Sequence, residues 1–333
     1  MKSCAIVLLN YNGEGVLPSF LPSVVEHSRH DVWMIDNAST DGSLNYLKEN
    51  FSQISVIALE HNYGFTGGYN LGLEQLGAQY EHFILLNTDV EVTQGWDQQL
   101  VDFLTHHLDY TAVQPKILSW KDRAYFDYAG AGGGFLDALG YPYCRGRIWD
   151  HLEQDSGQYD DSIQVDWASG ACMAIRSEDY FAQKGFDNDF FAHMEEIDLC
   201  WRLRKSGKKI GYLGAATVYH QGGATLDRAS AKKLYLNCRN SLSMLYKNVG
   251  AVRFIGIFLL KAAMEGLAAV NYLFKGQPEF SKAILVGYKD FLTSKKNKAP
   301  LVDSNWPEVK SNGPAGIVFA QYLLRGRKKF TDF

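Results

Sequence analysis

Four groups of residues in this chain have the types and spacing for chemistry. Glu195-Glu196-x-Asp198 opens an expected helix, just after the aromatic run Phe186-Asp187-Asn188-Asp189-Phe190-Phe191. Acids in a first helical turn interact well with the helix dipole, so a purely structural reading is open. Asp198 and Arg202 stand four apart with the acid leading, which favours a pair. Glu196 falls on a different face, with Leu199 and Leu203. A carboxylate among apolar neighbours keeps its proton to higher pH and can act as a general base. Asn87-Thr88-Asp89 follows a strongly apolar run. A carboxylate there suits Mg2+ or Mn2+ held jointly with phosphate oxygens, because Mg2+ takes one or two protein carboxylates and completes its shell with water and phosphate. Many ordinary turns have the same composition. Asp36 closes another apolar run and can accept an N–H from a base or a ribose hydroxyl. It can also cap the next helix, although Asp41 and Ser43 stand nearer for that. His220 precedes Gln221-Gly222-Gly223 and reads either as a structural histidine or as a metal ligand.

The elements that must position these residues alternate. Cys4–Leu9, Val32–Ile35, Ile54–Leu59 and His82–Leu86 read as strands. Helices are expected over Leu17–Ser28, Leu44–Asn50 and, after a Gly-rich turn at Gly64–Gly68, near Tyr69–Leu76. That alternation predicts an α/β fold with a doubly wound, mostly parallel sheet. Ligands in such sheets sit beyond the carboxyl ends of the strands, where Asp36 and Asp89 both fall. No G-x-G-x-x-G follows the first strand, which disfavours a nicotinamide-type dinucleotide site. Farther on, Ala129–Gly134 reads as a flexible loop and Asp150–Asp161 as an acidic polar stretch. Val165–Arg176 reads as a strand returning to the core, and Glu195–Ser206 as a helix. Lys209–Tyr212 and Thr217–Tyr219 read as two short strands ending at His220.

The chain has 333 residues, 46% hydrophobic and 21% charged. That composition is globular and excludes a disordered or fibrous protein. Five cysteines without C-x-x-C spacing exclude a disulfide framework or zinc ribbon and fit a reducing cytosol. The apolar run Cys4–Leu9 is too short for a secretory signal. Charge is uneven. Residues 1–227 hold 15 Lys+Arg against 31 Asp+Glu, while residues 228–333 hold 18 against 6. A basic end of this kind serves an anionic membrane or nucleic acid, or is simply solvated.

Six motifs occur in order: Val7–Gly13 (VLLNYNG), Ile35–Ser43 (IDNASTDGS), Asn62–Leu73 (NYGFTGGYNLGL), Leu85–Glu91 (LLNTDVE), Phe190–Gly207 (FFAHMEEIDLCWRLRKSG) and Val218–Thr225 (VYHQGGAT). Together they resemble the inverting family 2 glycosyltransferases with a GT-A fold, most closely the bacterial rhamnosyltransferase-like and galactofuranosyltransferase-like enzymes. The resemblance covers roughly residues 3–227. It implies nucleotide and donor contacts at Asn10, Tyr11, Asp36, Asn62, Gly64, Gly67, Asn70, Asn87 and Thr88. Asn87 and Asp89 match the outer positions of the family's D-x-D metal motif, with Asn in the first place. The resemblance further implies Asp89 and His220 as ligands of Mn2+ or Mg2+, Glu196 as catalytic base, Glu195 as its acceptor-contacting partner, and Trp167 and Gly170 on the acceptor side. The expected reaction moves a sugar, rhamnose first and galactose, galactofuranose or glucose next, from a UDP- or dTDP-sugar to a hydroxyl of a glycan or glycolipid acceptor. A non-catalytic carbohydrate- or nucleotide-binding protein of the same fold is the alternative. A sugar-phosphate nucleotidyltransferase is disfavoured, because residues 10–20 hold no Lys or Arg.

Residues 1–227 are thus expected to form the catalytic domain and residues 228–333 a helical, basic extension. Within the extension Arg253–Lys275 is amphipathic. Leu259, Leu260, Ala263, Leu267, Val270 and Phe274 share one face, and Lys261, Glu265, Tyr272 and Lys275 lie opposite. The charges interrupt it too often for a clean membrane span. It suits a helix lying on the inner face of the cytoplasmic membrane, or packed in a homodimer. Lys295-Lys296-x-Lys298 and Arg325-x-Arg327-Lys328-Lys329 add attraction to anionic lipid. Nucleic acid is not an expected partner, since no binding motif accompanies the charge.

Overall fold

The first strand is six apolar residues long in sequence, and the chain wraps its main sheet around it. A computed structural model describes residues 2–222, 230–294, 309–314 and 316–333. The first half runs β1 (Lys2–Asn10), α1 (Leu17–His27), β2 (Asp31–Asp36), α2 (Ser43–Asn50), β3 (Ser55–Ala58), α3 (Gly64–Leu76), β4 (Tyr80–Leu86), β5 (Val90–Val92), α4 (Trp96–His106) and β6 (Tyr110–Ser119). Four short strands follow: β7 (Gly134–Leu136), β8 (Pro142–Cys144), β9 (Arg147–Ile148) and β10 (His151–Leu152). Then come β11 (Ser162–Val165), β12 (Cys172–Arg176), α5 (Ser177–Ala182), α6 (Glu195–Lys205) and β13 (Lys209–His220). The C-terminal part is helical: α7 (Ala231–Asn248), α8 (Ala251–Phe274), α9 (Pro278–Ser294) and α10 (Val318–Arg325).

Among the described residues the main sheet has nine strands in the order β11-β13-β6-β12-β4-β1-β2-β3, with β5 on β13. β1 pairs in parallel with both β2 and β4. β12 is antiparallel to β4 and β6, and β11 to β13, so the expected mostly parallel sheet is mixed. Strands buried on both faces need continuous apolar runs, which β1 and β4 have. Helices cover them with apolar stripes; α1 buries Leu17, Phe20, Leu21 and Val24 at helical spacing.

Several elements differ from the sequence expectation. The Gly64–Gly68 segment is not a turn before a helix; α3 already starts at Gly64. Its glycines serve close packing. A Cβ on Gly72 would come within 2.1 Å of Ile35 Cδ1, so only glycine lets α3 lie this near the sheet. Val165–Arg176 is two strands, and residues 166–171 between them turn toward the carboxyl ends of the sheet. The two short strands before His220 are one, β13, with an irregularity between Leu213 and Thr217 that keeps pairing with β6 on both sides. Ala129–Gly134 is not an open loop. Gly130, Ala131, Gly132 and Gly133 are buried, and Gly134 lies under the Trp167 ring. All five cysteines are buried and free.

The C-terminal helices pack onto the sheet domain. Asp166 receives Arg204 at 2.9 Å and the backbone N–H of Asn312 at 2.8 Å. Phe330 stacks on Phe135. In α8 Lys261 and Glu265 face the protein together with Phe254, Ile257 and Ala269, and an apolar stripe faces out. The basic cluster at Lys295–Lys298 lies outside the described residues; in the other cluster Arg325, Lys328 and Lys329 are exposed.

Candidate active site

The site forms where β1, β2, β4 and β13 end and β12 begins. The parallel register sets Asn10 opposite Asp36. Asn10 Nδ2 donates to Asp36 Oδ1 at 3.0 Å and to the hydroxyls of Ser39 and Ser43, while Asp36 Oδ2 accepts the Ser39 N–H at 3.0 Å. Both residues are buried, and Tyr11 beside them is exposed at the mouth. Asn37, which the sequence reading passed over, ties this corner to the next loop. Its side chain donates to Asn62 Oδ1 at 3.0 Å and to the Gly64 carbonyl at 2.9 Å, and it accepts the Tyr63 N–H. Asn62 Oδ1 also accepts from Gly64 N–H. Gly64 has φ +72°, and a Cβ there would strike the Phe191 ring. Gly67 similarly backs onto Tyr63.

Asn70 is placed otherwise than a donor contact would be. Its amide donates to the Phe186 carbonyl at 2.7 Å and to Asn188, and accepts from Phe186 N–H and the Tyr180 hydroxyl. Those bonds use both ends of the amide to fasten the segment ahead of α6. Trp167 departs likewise from an acceptor wall: it is 4% exposed and its indole N–H donates to the Phe135 carbonyl. Gly170 is buried beside Phe65 and Glu196. A Cβ on it would lie 3.5 Å from the Phe65 ring and 3.9 Å from Glu196.

The antiparallel pairing of β5 with β13 sets His220 opposite Val90, and hence beside Asp89. His220 Nε2 lies 3.2 Å from Asp89 Oδ1, and Nδ1 lies 3.1 Å from Asp127 Oδ2. All three are buried. Burial alone would lower the His220 pKa, but the two carboxylates overcome it and push it up to about 10. Burial opposes ionisation of Asp89 too. His220 and the backbone N–H groups of Asp89 and Gly222 outweigh it and hold the carboxyl below its usual range. Asn87 stays close through its N–H, which donates to the Ala171 carbonyl at 3.0 Å, and Thr88 links it to Asp89.

Glu195 and Glu196 start α6. Glu195 is buried and Glu196 half-buried, and the Oε2 atom of each is sealed from solvent without a partner. Burial raises Glu196 to about 7, with nearby Lys233 opposing. Burial and the Glu196 charge hold Glu195 well above the usual carboxylate range. The backbone in front of them is strained: Phe191, His193 and Met194 all have φ between +63° and +73°. Helix α7 holds that strain in place. Asn240 donates to the carbonyls of Phe190, Ala192 and His193, and Arg239 to those of Asp189 and Phe190. The expected Asp198–Arg202 pair forms at 2.8 Å.

A chain of direct neighbours therefore joins the acids to the histidine: Glu196 against Gly170, Ala171 bonded to Asn87, Asp89 bonded to His220. Residues 5–180 match the family model described as glycosyl transferase family 2. The chain belongs to that family. It is 39% identical over 222 residues to the rhamnosyltransferase WbbL of Escherichia coli K12, covering 65% of this chain and 82% of that one. It is 26% identical over 247 residues to an N-acetylglucosaminyl-diphospho-decaprenol L-rhamnosyltransferase of Mycobacterium tuberculosis, covering 69% and 79%. Its fold is similar to that of GalNAc-T7 solved with UDP, GalNAc and Mn2+, with TM-score 0.59 at 14% identity, over 92% of this chain and 59% of that longer one. The chain is a glycosyltransferase with a GT-A fold and rhamnosyltransferase-like relatives.

The donor set at Asp89 can be weighed against what a divalent cation needs. Among the described residues no group of three or more His, Cys, Asp or Glu side chains converges as a metal cage. One carboxylate and one imidazole nevertheless stand side by side; to ligate a cation His220 would release its Nε2 proton and keep Nδ1–H on Asp127, which fixes the imidazole from behind as an outer-shell carboxylate does at metal sites. Two protein donors fit a cation that takes its other ligands from diphosphate oxygens and water.

Proposed function

We propose that this chain is an inverting, divalent-metal-dependent glycosyltransferase. It moves a sugar, rhamnose as first choice, from a UDP- or dTDP-sugar to a hydroxyl of a lipid-linked precursor of a surface glycan. Galactosyl, galactofuranosyl and glucosyl donors are next in order. In this reading residues 1–227 perform the transfer. Residues 228–333 brace it and bring it to the inner face of the cytoplasmic membrane.

The observation that carries the reading is the acid pair Glu195 and Glu196, each with a buried Oε2 atom that has no partner, with Glu196 next to Gly170 and, through Ala171, to the Asn87–Asp89 turn. Glu196, raised to about 7, is basic enough to take a proton near neutrality. It accepts the proton of the acceptor hydroxyl as that oxygen attacks the anomeric carbon. The bond from that carbon to the nucleoside diphosphate oxygen breaks in the same displacement, which inverts the centre. Glu195, which burial also holds well above the usual carboxylate range, contacts the acceptor beside it. Asp36, Asn10 and Tyr11 bound the nucleotide end, with Asn62, Gly64 and Gly67 shaping the adjoining loop. Asp89 and His220 would hold the metal, whose charge stabilises the departing diphosphate. The mycobacterial relative acts, by its name, on a diphospho-decaprenol carrier, which supports a lipid-linked acceptor here.

The test is nucleoside diphosphate release across UDP-, dTDP- and GDP-sugars with Mn2+, Mg2+ or EDTA, for the wild type and Glu196→Gln. Turnover of one donor, lost with EDTA and in the variant, is the expected result. Nucleotide binding with no turnover, even with lipid-linked acceptors supplied, would favour a non-catalytic binding protein.

A further inference from the structure

Helix α8 turns Lys261 and Glu265 inward and an apolar side outward, with Arg253 exposed in its first turn. Lys261 is fully buried; it pairs with Glu265 at 3.0 Å and lies over the Tyr141 ring, whose hydroxyl donates to Glu265 at 2.7 Å. Phe254 and Phe258 anchor the same side on Phe291 and Tyr288 of α9. The outward side is apolar from end to end. Val252 is 88% exposed, Leu259 63%, Leu267 73% and Phe274 88%. Their spacing of seven or eight keeps them on one stripe, which Ile255 and Val270 extend. At a rise of about 1.5 Å per residue the stripe is about 33 Å long. Soluble monomers rarely leave such a patch uncovered.

Charge decides what covers it. Residues 228–333 carry 18 Lys+Arg against 6 Asp+Glu. Lys275 follows α8, and Lys282 and Lys289 of the adjoining α9 are exposed. A second copy would bring two such basic regions together. An anionic lipid surface complements them, each lysine near it adding attraction. By length and composition α8 is also able to cross a membrane. Crossing would strip the Lys261–Glu265 pair from Tyr141 and tear Phe254 and Phe258 from α9. An in-plane helix keeps both.

We propose that the outward face of α8 docks in the plane of an anionic membrane surface, holding the active site over lipid-borne acceptors. For its purpose the inference rests on the lipid-linked acceptor proposed above; for its geometry it rests on α8 alone. The experiment is sedimentation of the full chain with phosphatidylcholine vesicles, with and without phosphatidylglycerol, beside Leu259→Gln/Leu267→Gln. Both side chains point to solvent, so an unchanged melting temperature is expected for the variant. The expected result is wild-type binding to phosphatidylglycerol vesicles, weakened by salt and about tenfold or more weaker in the variant. Equal binding by both proteins, or no wild-type binding, overturns the proposal. So does a vesicle-free dimer that the variant abolishes, which would assign the face to a second copy. Wild-type protein that resists alkaline carbonate extraction overturns the in-plane geometry. Donor hydrolysis by the same preparations without vesicles reads the catalytic proposal separately, so the two can fail independently.

Discussion

Helix α6 holds two kinds of buried charge within three turns. In its middle and C-terminal part the buried charges are in ion pairs: Asp198 has Arg202 and Asn248, and Arg204 has Asp166, although Arg204 Nε itself makes no bond. In its first turn the outer oxygens of Glu195 and Glu196 have no partner, and the buried His193 Nε2 just before them has none either. Buried polar groups are normally satisfied, because leaving one unpaired costs about 1–3 kcal/mol. The backbone repeats the contrast. Behind the paired charges it is ordinary helix; ahead of the unpaired ones three non-glycine residues are left-handed. Charges that hold the fold are neutralised where they sit. The acids at the carboxyl end of the sheet are kept unsatisfied by surrounding clamps, which is how a fold stores reactivity.

The sharpest way to break this contrast is Glu196→Gln, nearly isosteric and unable to accept the proton. A kcat loss of about 10²–10⁴-fold is expected, with donor affinity little changed. Single-turnover kinetics beside nucleotide titration read the two separately. In the wild type kcat should rise with pH through about 7, since the base works only once ionised; a profile flat from pH 5 to 8 would remove Glu196 from the proton transfer. On the paired side Arg202→Met removes bonds to Asp198 and to the carbonyls of Gln183 and Gly185. It leaves a carboxylate buried, so stability should drop by about 3–5 kcal/mol in denaturant melts. The midpoint of the pH–rate profile should not move.

A smaller effect tests the third element of the site. Asp127 touches no expected reactant; it aims the His220 ring at Asp89. Asp127→Asn should weaken Mn2+ binding about 10–100-fold, read by Mn2+ paramagnetic resonance with nucleotide bound, while Glu196 keeps its pH midpoint. Unchanged Mn2+ affinity would make Asp127 a purely structural partner.

Such residues also show what the sequence reveals. Strands such as β1 and β4 are legible because burial on both faces demands unbroken apolar runs. The residues at their ends, Asp36 and Asp89, are therefore legible as being at one edge. The structure brings His220 to Asp89 through β13, a pairing that spacing alone does not state. Asp127 has no local signal: its partner lies 93 residues away, in a stretch without periodic pattern. Asn240 and Arg239 clamp carbonyls some 50 residues upstream, and nothing in α7 marks them. The glycines of α3 mislead for another reason. Glycine reads as a turn by its freedom, yet here its missing side chain is used against Ile35 and Leu9. Trp167 is put on the acceptor side by the family resemblance alone, and its ring fills the space over Gly134.

The smallest effect is also the one whose sign separates the two sets of charges. Glu196 ionises near 7 in the folded chain against an ordinary value of 4.5, because burial disfavours its charge. Between those values the folded state binds more protons than the unfolded one, so stability falls as pH rises from about 4.5 to about 7 and stays lower above it. Glu195 is raised for the same reason and pulls in the same direction. Glu196→Gln has no charge to bury. Its melting temperature should match the wild type near pH 5 and exceed it at pH 8, although the enzyme is inactive. Arg202→Met should melt lower than the wild type at both values. A Glu196→Gln variant that gained nothing at pH 8 would mean that the acid has a partner after all, and the contrast within α6 would disappear.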